Sequence, residues 1–139
     1  MGLLRNISHL LAALFNDRAA FQRRWDHPPP DRGLEGRWQG EWISEANGHR
    51  GALKCLLTKT APEKYEAAFH AVYAGFLRVA YVVELHGRQS GAALQLEGEA
   101  DLGRLAGGIY HYKGEAAESA FNCTYRCAYD HGTFHLSRP

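Results

Sequence analysis

Several residue types that staple, charge or anchor a chain are scarce here, and each scarcity removes a class of protein. Cysteines number only three in 139 residues. An odd count is no disulfide framework. Cys123 and Cys127, if they share a strand, stand about 13 Å apart at roughly 3.3 Å per residue, whereas a bridge needs less than about 7 Å. A reducing compartment follows. The expected location is cytoplasmic, peripheral at a membrane if the first segment docks on one. Lysine and arginine number 16 against 15 acidic residues, a net charge of +1, so no field points to nucleic acid. No stretch approaches the ~18 apolar residues of a membrane-spanning helix. The opening run is broken by Asn6, Ser8 and His9 and has no clean A-x-A site, so it does not read as a cleaved signal. Asn6 stands where a myristoylation motif takes Ser or Thr. Catalytic signatures are missing too: there is no G-x-S-x-G, no phosphate-cradling glycine loop, and no cysteine with an identifiable histidine partner. No catalytic residue and no metal ligand are assigned, and no cofactor is expected.

What the chain does have is glycine and aromatics: 15 glycines, seven tyrosines, six phenylalanines and three tryptophans. They follow a different opening. Residues 3–25 carry Leu4, Ile7, Leu11, Leu14, Phe21 and Trp25 at three- and four-residue spacing, the stripe of an amphipathic helix. "HPPPD", residues 27–31, stops it, because proline cannot donate a helix hydrogen bond and favours an extended spacer. Three parts result: a helix over 1–26, a proline-rich hinge over 27–35, and a β-domain over 36–139. The stripe of residues 3–25 must be covered, either by the β-domain or by a protein partner or membrane surface.

From residue 36 onward the period is two. Turn signals recur at 45–51, 61–64, 86–91, 100–108 and 129–132, with Val-, Tyr-, Phe- and Leu-rich runs between them. Strands are expected near 36–44, 52–59, 65–73, 78–86, 92–99, 108–114, 119–127 and 132–138. Short connections make this an all-β, up-and-down antiparallel meander, and closing it into a barrel of about eight strands removes exposed edges. A barrel of that size is either filled by its side chains or holds one small ligand.

"GRWQGEW", residues 36–42, sets Gly36, Trp38, Gly40 and Trp42 on one face of the first strand, with Arg37, Gln39 and Glu41 on the other. Indole and empty space on one face suggest the floor or mouth of the barrel. Phe69 and Tyr73 on the third strand, Tyr81 on the fourth and Tyr125 on the seventh fall on matching faces. These seven residues, Trp38, Gly40, Trp42, Phe69, Tyr73, Tyr81 and Tyr125, are the candidate ligand-binding set. Large and small residues alternate on these faces, a pattern that fills a taper as readily as it opens a pocket.

The G-x-W opening of such a meander resembles the calycin group of lipocalins, fatty-acid-binding proteins and avidins. The resemblance implies that Trp38 sits at the closed end with an arginine near the chain end packed over it, and Arg138 in "GTFHLSRP" is the positional candidate. It also implies non-enzymatic binding of a small apolar or amphipathic molecule. The helix precedes the barrel here, and no helix follows Arg138. "GRWQG" is also similar to the opening of nitrobindins, small haem-binding barrels that use a late histidine as iron ligand. His131 and His135 lie in that region, but Trp42 replaces the last glycine of that motif. Haem, a small isomerase-like activity, and docking of the helix on a partner are the alternatives to ligand binding.

Other groups admit plainer readings. His131 and His135 on a strand lie about 13 Å apart, too far to share one ion, and His131 is expected to cap a turn in which Gly132 takes a positive φ. In "YHY", residues 110–112, the tyrosines are polar anchors if they face inward and ordinary surface residues if they face out, with the outward setting preferred. His70, Glu84 and His86 alternate with Phe69 and Val83 and are expected outside.

Overall fold

The computed structural model describes residues 18–28, 33–104 and 107–139. Helix α1 covers residues 18–26. Eight strands follow: β1 (Gly36–Ser44), β2 (Arg50–Ala61), β3 (Lys64–Tyr73), β4 (Leu77–Ser90), β5 (Ala93–Asp101), β6 (Ile109–Ala116), β7 (Ala120–Arg126) and β8 (His131–Ser137). Each pairs antiparallel with the next, and β1 closes on β8, so the sheet is an up-and-down barrel without an edge. That is the meander expected from the period-two pattern.

Alternation decides which side chains go inside. Leu53, Cys55 and Leu57 of β2 face Ala67, Phe69 and Ala71 of β3, all buried. Phe121, Cys123 and Tyr125 of β7 alternate with the exposed Asn122, Thr124 and Arg126. At the centre, the Phe69 and Phe121 rings each meet Phe134 edge-on, at 5.4 and 5.6 Å between centroids. Such pairs add roughly 0.5–1.5 kcal/mol beyond their area.

One outward patch is apolar. Leu56, Ala68 and Ala80 point away from the interior yet are buried, because Phe21 and Trp25 of α1 cover them. Alanines on β3 and β4 let the helix approach the wall closely. Lys54 Nζ lies 5.0 Å and Arg37 Cζ 5.6 Å from the Trp25 ring, and Arg24 pairs with Glu66 at 3.1 Å. His70 stacks on Phe21 at 5.4 Å. Thus Phe21 and Trp25, the last members of the amphipathic stripe, are used against the barrel. The earlier members, residues 3–15, lie outside the described residues, as do residues 29–32 of the hinge.

Two glycine readings change. "HGRQSG" reads as a turn, but β4 runs on to Ser90. Gly87 is there for space: a Cβ would come within 2.6 Å of the Tyr65 ring. Gly132 likewise sits in β8 without a positive φ. Its missing side chain lets the Ile43 carbonyl and the Tyr125 ring approach. Gly40 and Gly114 similarly face the backbone of the neighbouring strand at His135 and Asn122. Glycines so placed are the points at which a small barrel's sheet can bend and close.

Candidate functional site

The strands bring unlike chemistry to the two ends of the barrel. At one end, the Trp38 ring is fully buried and packs edge-on against Phe121 at 5.7 Å. Its indole donates to the Leu34 carbonyl at 3.0 Å. Arg138 Cζ lies 4.1 Å over the same ring, while its guanidinium donates to the carbonyls of Gly33 at 2.6 Å, Glu35 at 3.0 Å and Arg37 at 3.2 Å. This end is a plug: cation, indole and backbone carbonyls satisfy one another.

The opposite end is built by the last residues of β1, β3, β5 and β7 and the first of their partners. It encloses a cavity of about 30 Å³ walled by Trp42, Tyr73, Tyr81, Tyr110, Tyr112 and Tyr125, with Leu53, Leu102, Phe134 and Asp130 completing it. Trp42 is fixed by an indole hydrogen bond to the Val72 carbonyl at 3.2 Å and by the Tyr73 ring 4.8 Å away. Tyr73 is 39% exposed, and Tyr81, Leu102, Tyr110 and Asp130 are partly exposed as well. Tyr73 ends β3 just before a tight turn in which Ala74 and Gly75 take φ of 53° and 78°, the conformation of two-residue hairpin turns. Across the barrel, Asp101 ends β5 and Leu102 leads into a turn whose Gly103, Gly107 and Gly108 all have positive φ. At Gly107 a Cβ would meet Cys127 Sγ at 2.8 Å and the Tyr110 hydroxyl at 3.0 Å.

The polar groups converge on Asp130. Ser44 is buried, and its hydroxyl donates to Asp130 Oδ1 at 2.5 Å. The Tyr125 hydroxyl donates to Oδ2 at 3.3 Å. Tyr81 and Tyr112 face each other, and Tyr110 faces Cys127. Burial raises every one of these phenols. Tyr73 is pushed up to about 12, by burial first and the Asp130 charge second. Tyr81 lies well above its ordinary value because it is buried and faces Tyr112. Tyr110, Tyr112 and Tyr125 are raised by burial above all. At neutral pH the cavity is therefore lined by neutral phenols, one indole and one carboxylate.

Of the seven candidate ligand-binding residues, Trp42, Tyr73, Tyr81 and Tyr125 line this cavity. Phe69 lies in the core behind it, stacked on Tyr81 at 5.3 Å and fully buried. Trp38 belongs to the plugged end, under Arg138. Gly40 lies between the ends on β1, where a side chain would strike the His135 carbonyl.

Tyr110 and Tyr112 face inward, against the preferred sequence reading. The signal was present: His111, Lys113 and Glu115 occupy the alternate positions and are exposed, which obliges the tyrosines to point inside. Asp130 and Ser44 carried no such signal, since a turn residue has no periodicity and a lone serine in a strand is ordinary.

Haem does not fit this interior. His131 and His135 are exposed on the outer wall, and His135 Nδ1 lies 2.9 Å from Asn122 Oδ1. Among the described residues no histidine lines the cavity, and no group of three or more His, Cys, Asp or Glu is placed to hold a metal ion. No helix among them is long and apolar enough to cross a membrane.

No protein-family model matches the chain, and no curated protein matches it. Solved structures do. A redesigned β-barrel, mFAP1, in a structure bound to DFHBI, is similar at a TM-score of 0.56 and 13% identity, over 76% of this chain and 94% of its own. A second redesigned barrel, b11L5F_LGL, is similar at a TM-score of 0.57 and 12% identity, over 76% and 91%. A fluorescence-activating β-barrel designed de novo is similar at a TM-score of 0.54 and 12% identity, over 76% and 93%. What the chain shares with them is its architecture, a closed antiparallel β-barrel.

Proposed function

We propose that the protein is a non-enzymatic binder of a small amphipathic molecule, lipocalin-like in using one end of its barrel. The observation that carries this reading is the asymmetry of the interior. One end is sealed by Arg138 over Trp38, and the other gathers five tyrosines, Trp42 and Asp130 around a cavity near whose mouth Tyr73 is partly exposed. A purely structural core would have no use for so many hydroxyls, because each buried one must find a partner. That a similar barrel has been solved bound to DFHBI lends the reading support from architecture. A ligand larger than the cavity requires Tyr73 to swing outward with its hairpin turn.

Binding of prodan, a neutral aromatic fluorophore, tests it. The protein should bind prodan at one equivalent with quenching of the Trp42 indole, and Tyr73→Ala should tighten binding by opening the mouth. If neither protein binds, the interior is a filled core and the reading fails. Native mass spectrometry of the purified protein should show a bound small molecule lost in Tyr125→Trp, which fills the cavity.

A further inference from the structure

Resting on that binding reading, we infer that the tyrosine-lined cavity takes the head group of an organic ammonium cation, held by the Asp130 carboxylate within an aromatic cage. Three observations carry it. First, Asp130 is the one charged side chain among the described residues lining the cavity, so the lining carries a negative charge and no cation of its own. Ser44 and Tyr125 orient the two carboxylate oxygens, but both donors are neutral. A charge-assisted partner adds what neutral donors do not.

Second, the walls suit a cation. Trp42, Tyr73, Tyr81, Tyr110, Tyr112 and Tyr125 present electron-rich rings around one small space. A cation is attracted to such faces, most strongly where water is excluded, and several rings around one site form the cage that recognises ammonium groups. An anion would meet the same faces and the Asp130 charge with repulsion.

Third, the size fits a head group and no more. A water needs roughly 10–15 Å³ of such space, so a cavity of about 30 Å³ admits an ammonium or methylammonium group but not an aromatic ring. The remainder of the ligand would lie at the rim. Of the five large apolar side chains exposed among the described residues, Tyr73, Phe76, Ile109 and Tyr129 all sit on the strand ends and turns of this end. Such a rim offers apolar surface to the hydrocarbon part of an amine. The ligand class is therefore an amphipathic amine: a small cationic head on an apolar body.

The test compares benzylammonium with benzyl alcohol, its neutral counterpart, by titration followed through intrinsic fluorescence at neutral pH. Benzylammonium should bind at least about tenfold more tightly. Asp130→Asn should lower the ratio of the two affinities, measured within that variant, at least severalfold, and an undiminished ratio would overturn the role of the carboxylate. Equal affinities for the two probes in the native protein would overturn the inference while leaving a neutral-ligand barrel standing. Binding of prodan without any binding of benzylammonium would overturn it in the same way. Failure of prodan and both benzyl probes would sink the binding reading along with it. Should Asp130→Asn not fold, the native protein's ratio of affinities decides alone.

Discussion

The two ends of this barrel are made from the same materials and come out opposite. Each has a tryptophan of β1 facing inward, Trp38 at one end and Trp42 at the other, four residues apart in sequence. Each indole donates to a carbonyl, of Leu34 and of Val72. The difference lies in what meets the ring. Trp38 has a guanidinium above it whose other donors reach three carbonyls, so the plug satisfies its polar groups with backbone. Trp42 has the Tyr73 ring beside it, with Ser44, Asp130 and a ring of phenols beyond. Arginine and backbone make a finished seal. Phenols and a carboxylate make a lining of hydroxyls and one charge around a small space, and that is where a ligand can add something.

Truncation should expose this difference most strongly. Trp38→Ala removes a fully buried indole and leaves Arg138 without its ring. It should cost about 3–5 kcal/mol, the range for a large aromatic lost from a core. Trp42→Ala, next to a cavity that already exists, should cost less. Chemical denaturation of both variants checks the ranking. A loss under about 1 kcal/mol at Trp38, far below that range, would mean that the plug carries no stability.

Gly40 tests the strand that joins the two ends. It pairs with Leu53 on one side and Leu136 on the other, and a Cβ there would run into the His135 carbonyl. Gly40→Ala should therefore strain the β1–β8 seam at the upper end of overpacking costs, about 3 kcal/mol. Gly91 offers the contrast. Its tight-turn φ of 63° strains a side chain, but open space surrounds it, so Gly91→Ala should cost only about 1–2 kcal/mol, the penalty of the left-handed conformation alone. Equal losses would show that the seam can part to make room.

Most of the fold was legible because a period of two is hard to mistake over strands this long. Charged residues at alternate positions, such as Glu84, His86 and Arg88 against Val83 and Leu85, mark both the strand and its inward face. Length was harder, since Gly87 reads as a turn and serves as a packing gap. The helix shows a similar limit. Its stripe demanded a cover, but Leu56, Ala68 and Ala80, which supply one for Phe21 and Trp25, look in the sequence like ordinary members of their strands. Of the site, the aromatic members could be found by parity. Asp130 could not, because its position depends on a turn between β7 and β8 and on Ser44 reaching it from β1.

The smallest expected effect is also the most specific to the tyrosine-lined end. A phenol held above its ordinary value is favoured in its neutral form by the folded state. Its contribution to stability is complete below the unfolded value near 10 and is lost as pH rises through the folded value. For Tyr73 that window runs from 10 to about 12, with burial the first cause and the Asp130 charge the second. The group is 39% exposed, so solvent screening keeps its share small. Denaturation midpoints should therefore hold steady up to about pH 10 and then fall, and Tyr73→Phe should make that fall shallower. Asp130→Asn should bring the Tyr73 ionisation down towards 10, since it removes the neighbouring negative charge, while the plugged end, which has no tyrosine in its seal, stays as it was. Ultraviolet titration of the phenolates follows both changes. If every tyrosine ionises near its ordinary value of about 10 in the folded protein, water already fills the mouth, and the contrast between the two ends reduces to Arg138 alone.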